Sequence, residues 1–163
     1  AAPTGEHGTI SLGIGGTLFG GFGGGRGGNG LGGWWLASDV DLLLGDDVFR
    51  PDLVGWRRER VPQRPTGFPV RERPDWVCEI TSPSNRPHDW ELKRTAYASA
   101  GIPHYWIAEP DTGALHVFRH SVEGYVLTKM VVRGQRARLE PFDALELDIG
   151  VLFGDDPLPA DPP

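Results

Sequence analysis

Cysteine is nearly absent. Cys78 is the only one in 163 residues, so no intramolecular disulfide is available, and a reducing, cytoplasmic setting is the default expectation. Lysine is almost as scarce: Lys93 and Lys129 stand against 14 arginines, so lysine is not this chain's ordinary surface cation. No apolar run approaches the ~20 residues needed to span a bilayer, and no signal-peptide pattern opens the chain, so no membrane partner is expected. The chain begins Ala-Ala-Pro without an initiator Met, which leaves room for sequence upstream. Gly-Lys-Ser/Thr occurs nowhere, which excludes a P-loop, and the absence of G-x-S-x-G leaves Ser82 without a nucleophile elbow. Positive charge is also short overall. A net charge of −6 argues against a protein held to nucleic acid by bulk charge.

What remains describes a folded globule. A hydrophobic fraction of 39% with six Trp predicts one domain able to bury a core without covalent staples. Charge is unevenly spread: Arg57, Arg58, Arg60, Arg64, Arg71 and Arg73 face only Glu59 and Glu72 in the same stretch. Such a loop can touch phosphates or simply be solvated. From Gly13 to Gly33, 13 of 21 positions are Gly. The G-x-G-x-x-G within "GFGGGRGG" follows no strand and precedes no helix, so a dinucleotide site is rejected. Ile10, Ile14, Leu18 and Phe22 recur every four positions, predicting a glycine-weakened helix that runs into a loop. Residues 1–33 thus read as an N-terminal helix plus Gly-rich loop, 34–153 as the core with which 8–33 is continuous, and 154–163 as an acidic, Pro-rich tail that frays.

Within the core, Val40 to Leu44 reads as a strand, turned at Gly45-Asp46-Asp47 into a second strand from Arg50 to Trp56. Residues 57–74 read as a loop and Trp76 to Thr81 as a short central strand. Asp89 is the expected N-cap of a helix from Trp90 to Ala100, stopped by Gly101 and Pro103. His104 to Ala108, Ala114 to Arg119 and Tyr125 to Val132 supply further strands, giving an α/β domain with a mixed sheet.

A carboxylate inside an apolar strand is costly unless it is paired or binds a cation. Glu79 lies between Cys78 and Ile80, and Asp52 occupies a similar place in "RPDLVGW". If their strands are neighbours, the two carboxylates converge at one edge of the sheet, an oxygen-ligand pair of the kind that holds Mg²⁺ with waters. Lys93 follows on the helix behind, on one stripe with Asp89 and Tyr97. An ammonium there can orient a water or stabilise a phosphorane-like transition state; the bland alternative is a surface Asp89–Lys93 pair.

The segment "PDWVCEITSPSNRPHDWELKRTAYASAGIPHYWIAEP" resembles the Uma-type putative restriction endonucleases of the PD-(D/E)XK nuclease superfamily, through Pro74, Asp75, Glu79, Ser82, Pro83, Ser84, Asp89, Lys93, Tyr97, Gly101, Tyr105, Trp106 and Pro110. "VFRPDLVGWRRERVP" upstream and "LHVFR", "GYVL" and "EPFDALELDI" downstream fit too, so the resemblance covers roughly residues 8–153. It implies a restriction-endonuclease-like mixed sheet flanked by helices in a single domain. It further implies Asp52 and Glu79 as ligands of Mg²⁺ or Mn²⁺, and Lys93 as the catalytic lysine. The place two after Glu79, where E-x-K would put lysine, is Thr81; the Uma-type pattern moves that lysine to the helix. An acidic residue on an N-terminal helix often completes such sites, and whether Glu6 does so is open.

Other residues rank lower. Asp75 reads as a cap or turn residue. His7, His88, His104, His116 and His120 lack metal spacing; the His116/His120 pair falls on a strand, where i and i+4 are too far apart for one Zn²⁺. Tyr97, Tyr105, Trp90 and Trp106 read as packing groups. The function expected is a divalent-metal-dependent endonuclease acting on DNA, with room for a homodimer. The rival readings are a nucleic-acid-binding protein without turnover and a partner-binding protein on the same fold.

Overall fold

The computed structural model describes residues 4–24, 31–82 and 87–163, without the side chains of 87–89. The predicted apolar stripe becomes helix α1 (Gly5–Phe22), with Ile10, Ile14, Leu18 and Phe22 all at most 4% exposed. Thr4 caps it by accepting from the His7 amide at 3.1 Å. Each interior glycine costs roughly 0.5–1 kcal/mol of helix stability. At Gly13 the cost has a purpose, since a Cβ there would sit 2.5 Å from the Leu152 carbonyl oxygen.

Strand β1 (Trp34–Ser38) follows, then a small hairpin of β2 (Leu42–Leu44) and β3 (Asp47–Phe49). The hairpin corrects the expected pairing. Its second arm is Asp47–Phe49, and the longer run beyond Arg50 becomes β4 (Leu53–Arg57) in a different sheet. Gly45, at φ +63°, opens a two-residue turn at a position that favours glycine. Arg50 anchors the hairpin through a two-pronged contact with Asp41 at 2.7 and 3.1 Å.

Next come β5 (Trp76–Ile80), helix α2 (Pro87–Ser99), β6 (His104–Glu109), β7 (Ala114–Ser121), β8 (Gly124–Val132), β9 (Arg136–Ala137), β10 (Leu147–Asp148) and the short α3 (Ile149–Leu152). Helix α2 starts at Pro87, so Asp89 is inside the first turn rather than an N-cap, and its side chain lies outside the described residues. The main sheet runs β1-β4-β5-β6-β7-β8, with β5 and β6 parallel through the α2 crossover and the other neighbours antiparallel. The sheet is mixed and the fold α/β, as expected. Strand β1 has no counterpart in the sequence reading. "WWLAS" follows a glycine tract and does not alternate, and pairing with β4 is what makes it a strand.

Every residue of β5 is buried. Trp76, Cys78 and Ile80 face α1 and α3, and Val77 packs with Tyr97 and Tyr105 on the opposite side. Phe142 centres the first layer, with Phe22, Trp34, Trp76 and Trp106 ring centroids 4.7–5.6 Å away. The C-terminal tail, expected to fray, makes contacts with the body of the domain. Asp155 pairs with Arg133, Leu158 donates to Asp148 at 2.7 Å, and Asp161 meets Arg136 at 3.1 Å.

Candidate functional site

Strands β4 and β5 pair with Leu53 opposite Cys78, which makes Asp52 and Glu79 the next facing positions. Cross-strand partners project to the same side of a sheet. Asp52 Oδ2 accepts from the Ile80 amide at 2.7 Å, so its carboxylate is fastened to the strand that carries Glu79. The two expected carboxylates do converge.

Glu79 is 4% exposed. Its Oε1 accepts from the Tyr97 hydroxyl at 2.6 Å and its Oε2 from Lys93 Nζ at 3.2 Å. Burial pushes its carboxyl up to about 7; Lys93 opposes the rise, Asp52 adds to it, and the hydrogen bonds from Tyr97 and Lys93 oppose it. Lys93 and Tyr97 are four residues apart on α2, and this spacing puts both on the helix face over the sheet. Lys93 therefore meets the buried Glu79 rather than standing only as a surface charge. Tyr97 is driven well above the ordinary phenol range by burial and then by the Glu79 charge, so its hydroxyl stays a donor.

The remaining Asp52 oxygen meets His7 Nε2 at 3.0 Å, with both side chains largely buried. His7 escaped the sequence reading because it lacks metal spacing. Glu6, the acid considered for this end of the site, is exposed, and its charge is felt instead by Arg133. One residue along a helix turns the side chain by about 100°, so His7 and Glu6 cannot both face the site. Tyr97, read as packing, is both: it is fully buried against Tyr105 and bound to Glu79. Its place one turn beyond Lys93 was the signal available in the sequence.

A cavity of about 330 Å³ opens onto Glu79 and Lys93, walled by Val48, Phe49 and Arg50 of the hairpin and Trp90 and Leu92 of α2. The other candidates do different work. Asp75, 4% exposed, accepts from the Arg57 amide at 2.7 Å and Arg60 Nε at 2.8 Å, and so folds the arginine-rich loop as a turn residue. His120 pairs with the Ala98 carbonyl at 2.9 Å while His116 lies against Glu109, so the two do not share a ligand. Burial pushes the Cys78 thiol well up, which leaves it unreactive. Among the described residues, no three His, Cys, Asp or Glu side chains cluster closely enough to enclose a metal. The donors at the site are two hard carboxylates, the Asp52 charge adding to the rise at Glu79, a set that suits a divalent cation completing its shell with water.

No curated protein sequence matches the chain. A solved structure, that of a putative nuclease belonging to DUF820 from Anabaena variabilis, is similar over 94% of this chain and 83% of its own, with a TM-score of 0.71 and 20% identity. At that identity the likeness is one of fold. A family profile described as Uma2, putative restriction endonuclease, matches residues 1–150. The chain belongs to that Uma2 family.

Proposed function

We propose that the protein is an endonuclease that hydrolyses DNA phosphodiester bonds with the help of Mg²⁺ or Mn²⁺. The observation that supports this best is that Asp52, fastened to β5 beside Glu79, meets a Glu79–Lys93 pair that lines an open cavity. Asp52 and Glu79 would hold the cation. When bound, it supplies Lewis-acid neutralisation of charge at the phosphate.

The chain's own groups do the rest. Lys93 is a compact cation, its side chain 31% exposed, at the mouth of the cavity. It steadies the charge that builds on phosphorus oxygens as water attacks and one P–O ester bond breaks. Tyr97 keeps the Glu79 carboxylate in one orientation, and His7 does the same for Asp52. All of these residues come from one chain, so a homodimer is compatible with the site but not needed to complete it.

Glu79→Gln tests the reading, because it removes a negative ligand and keeps the shape. Metal-dependent nicking of supercoiled plasmid should fall by roughly 10²-fold or more while the circular dichroism spectrum is retained. Undiminished nicking by the variant would show that the carboxylate is not a ligand.

One observation favours a second reading, binding without turnover: all four oxygens of Asp52 and Glu79 already face protein donors. A Mn²⁺ titration separates the two. Uptake that is lost in Glu79→Gln supports the enzyme, and no uptake supports the binding protein.

A further inference from the structure

Half of the twelve described arginines of this acidic protein are neutralised by a carboxylate. Arg50, Arg60, Arg73, Arg119, Arg133 and Arg136 each face a carboxylate. Of the other six, Arg94 and Arg138 are taken up by backbone carbonyls, while Arg57, Arg58, Arg64 and Arg71 fall together at the end of β4 and in the loop after it. Three of them are ordered by aromatic faces instead. The Arg57 guanidinium lies 4.7 Å from the Trp34 ring centroid, and Arg58 and Arg64 lie 3.5 and 5.1 Å from that of Trp35. A ring face holds a guanidinium in place without neutralising it, which leaves N–H edges free for an anion. Arg58 spends one donor on the Trp34 carbonyl, and the exposed Glu59 is the one acid of the loop left without an ion-pair partner, since Glu72 is tied to Arg60.

The patch sits at the far end of the strands from the site. Arg57 ends β4 opposite Trp34, while Asp52 precedes β4 beside Ser38. Five residues at ~3.3 Å each separate them by roughly 17 Å, about five base-pair steps of duplex at ~3.4 Å. Between the two ends run the outer strand β1 and the cavities beside it, of about 210 and 470 Å³, lined by Leu36 and Ala37.

We infer that Arg57, Arg58, Arg64 and Arg71 form a phosphate-holding anchor for duplex DNA that lies along β1, with its scissile bond at the Asp52/Glu79 end. The identity of the anion as DNA rests on the nuclease reading. The anchor explains how a chain of net charge −6 holds a polyanion: it concentrates in one place four guanidiniums without carboxylate partners among the described residues, three of them preordered by ring faces.

The test is anisotropy binding of labelled duplexes of about six and about 20 base pairs, in Ca²⁺ and across a salt series, for the wild type and the combined Arg57→Gln, Arg64→Gln, Arg71→Gln variant. The wild type should bind the longer duplex more tightly, and the variant should lose that gain by roughly tenfold or more. Its log K against log salt slope should be shallower by about 2.7, three phosphate contacts at ~0.9 each. The matching triple Lys variant should recover most of the slope. Where loss of the ring contacts unfolds the triple Gln variant, Arg71→Glu, which touches no ring, carries the same comparison. Equal slopes and an equal length gain in wild type and variant overturn the anchor, as does a wild type that binds polyglutamate but gains nothing from a longer duplex. Length-dependent binding by a wild type that never cleaves in Mg²⁺ would remove the enzyme reading and leave the anchor standing. Cleavage without any length gain would do the reverse.

Discussion

Glu79 is the residue on which the site depends, because it is a carboxyl almost wholly buried at the edge of an open cavity. Its folded-state carboxyl titrates at about 7 against an ordinary 4.5, with burial as the main cause. Between those values the folded chain binds more protons than the unfolded one. The group's contribution to stability is therefore complete below about pH 4.5 and is lost as pH rises through about 7, a change on the order of 3 kcal/mol. Urea unfolding in chelator at pH 5 and pH 8 should show this fall in the wild type and not in Glu79→Gln. The same pH dependence in both proteins would remove the argument. Lys93 is the second residue at issue. With its ammonium in the proposed role at the transition state, Lys93→Ala should lower turnover by about 10²-fold and move Mn²⁺ affinity much less. Lys93→Arg should remain impaired, because a broad planar head cannot take a compact point-charge position. Full activity in Lys93→Arg would return Lys93 to a purely structural pairing with Glu79.

Among the elements, α1 and α2 divide the site between them. Helix α2 carries Lys93 and Tyr97 one turn apart and delivers both to Glu79. Helix α1 packs by its Ile10/Ile14/Leu18/Phe22 stripe and brings His7 to Asp52 from the other side of the sheet. Its seat depends on Gly13, whose backbone lies against the Leu152 carbonyl. On helix propensity alone, Gly13→Ala would stabilise by about 1 kcal/mol. The 2.5 Å approach to a backbone oxygen reverses the sign, since that atom cannot swing aside. The variant should lose about 1–3 kcal/mol in chemical denaturation, and a gain in stability would show that α1 is free to shift. The effect should reach Asp52 only through the position of His7.

At the scale of the whole molecule, a three-layer arrangement places a mixed sheet between α1 and α3 on one side and α2 with the β2–β3 hairpin on the other. The catalytic candidates gather at one end of β4 and β5, and the ring-stacked Arg57 and Arg58 lie at the other. Net charge describes neither end. No helix among the described residues is long and apolar enough to cross a membrane, and the core instead closes around Phe142 and four other aromatic rings.

What the sequence determined by itself is local. The α1 stripe, the buried run around Glu79, and the four-residue step from Lys93 to Tyr97 follow from periodicities of a few residues. Backbone geometry imposes these wherever the segment sits. Asp52 and Glu79 were legible as costly carboxylates in apolar strands, but their meeting was conditional on strand neighbours. Only tertiary structure decided the rest: the register that sets Leu53 against Cys78, the recruitment of "WWLAS" as β1, the release of β4 from the hairpin, and the choice of His7 over Glu6. It also decided which arginines kept a free charge, since carboxylate partners such as Asp75 for Arg60 and Asp155 for Arg133 lie 15 and 22 residues away. Pairings of this kind are set by the packing of distant segments against one another, and no short window of sequence contains both partners.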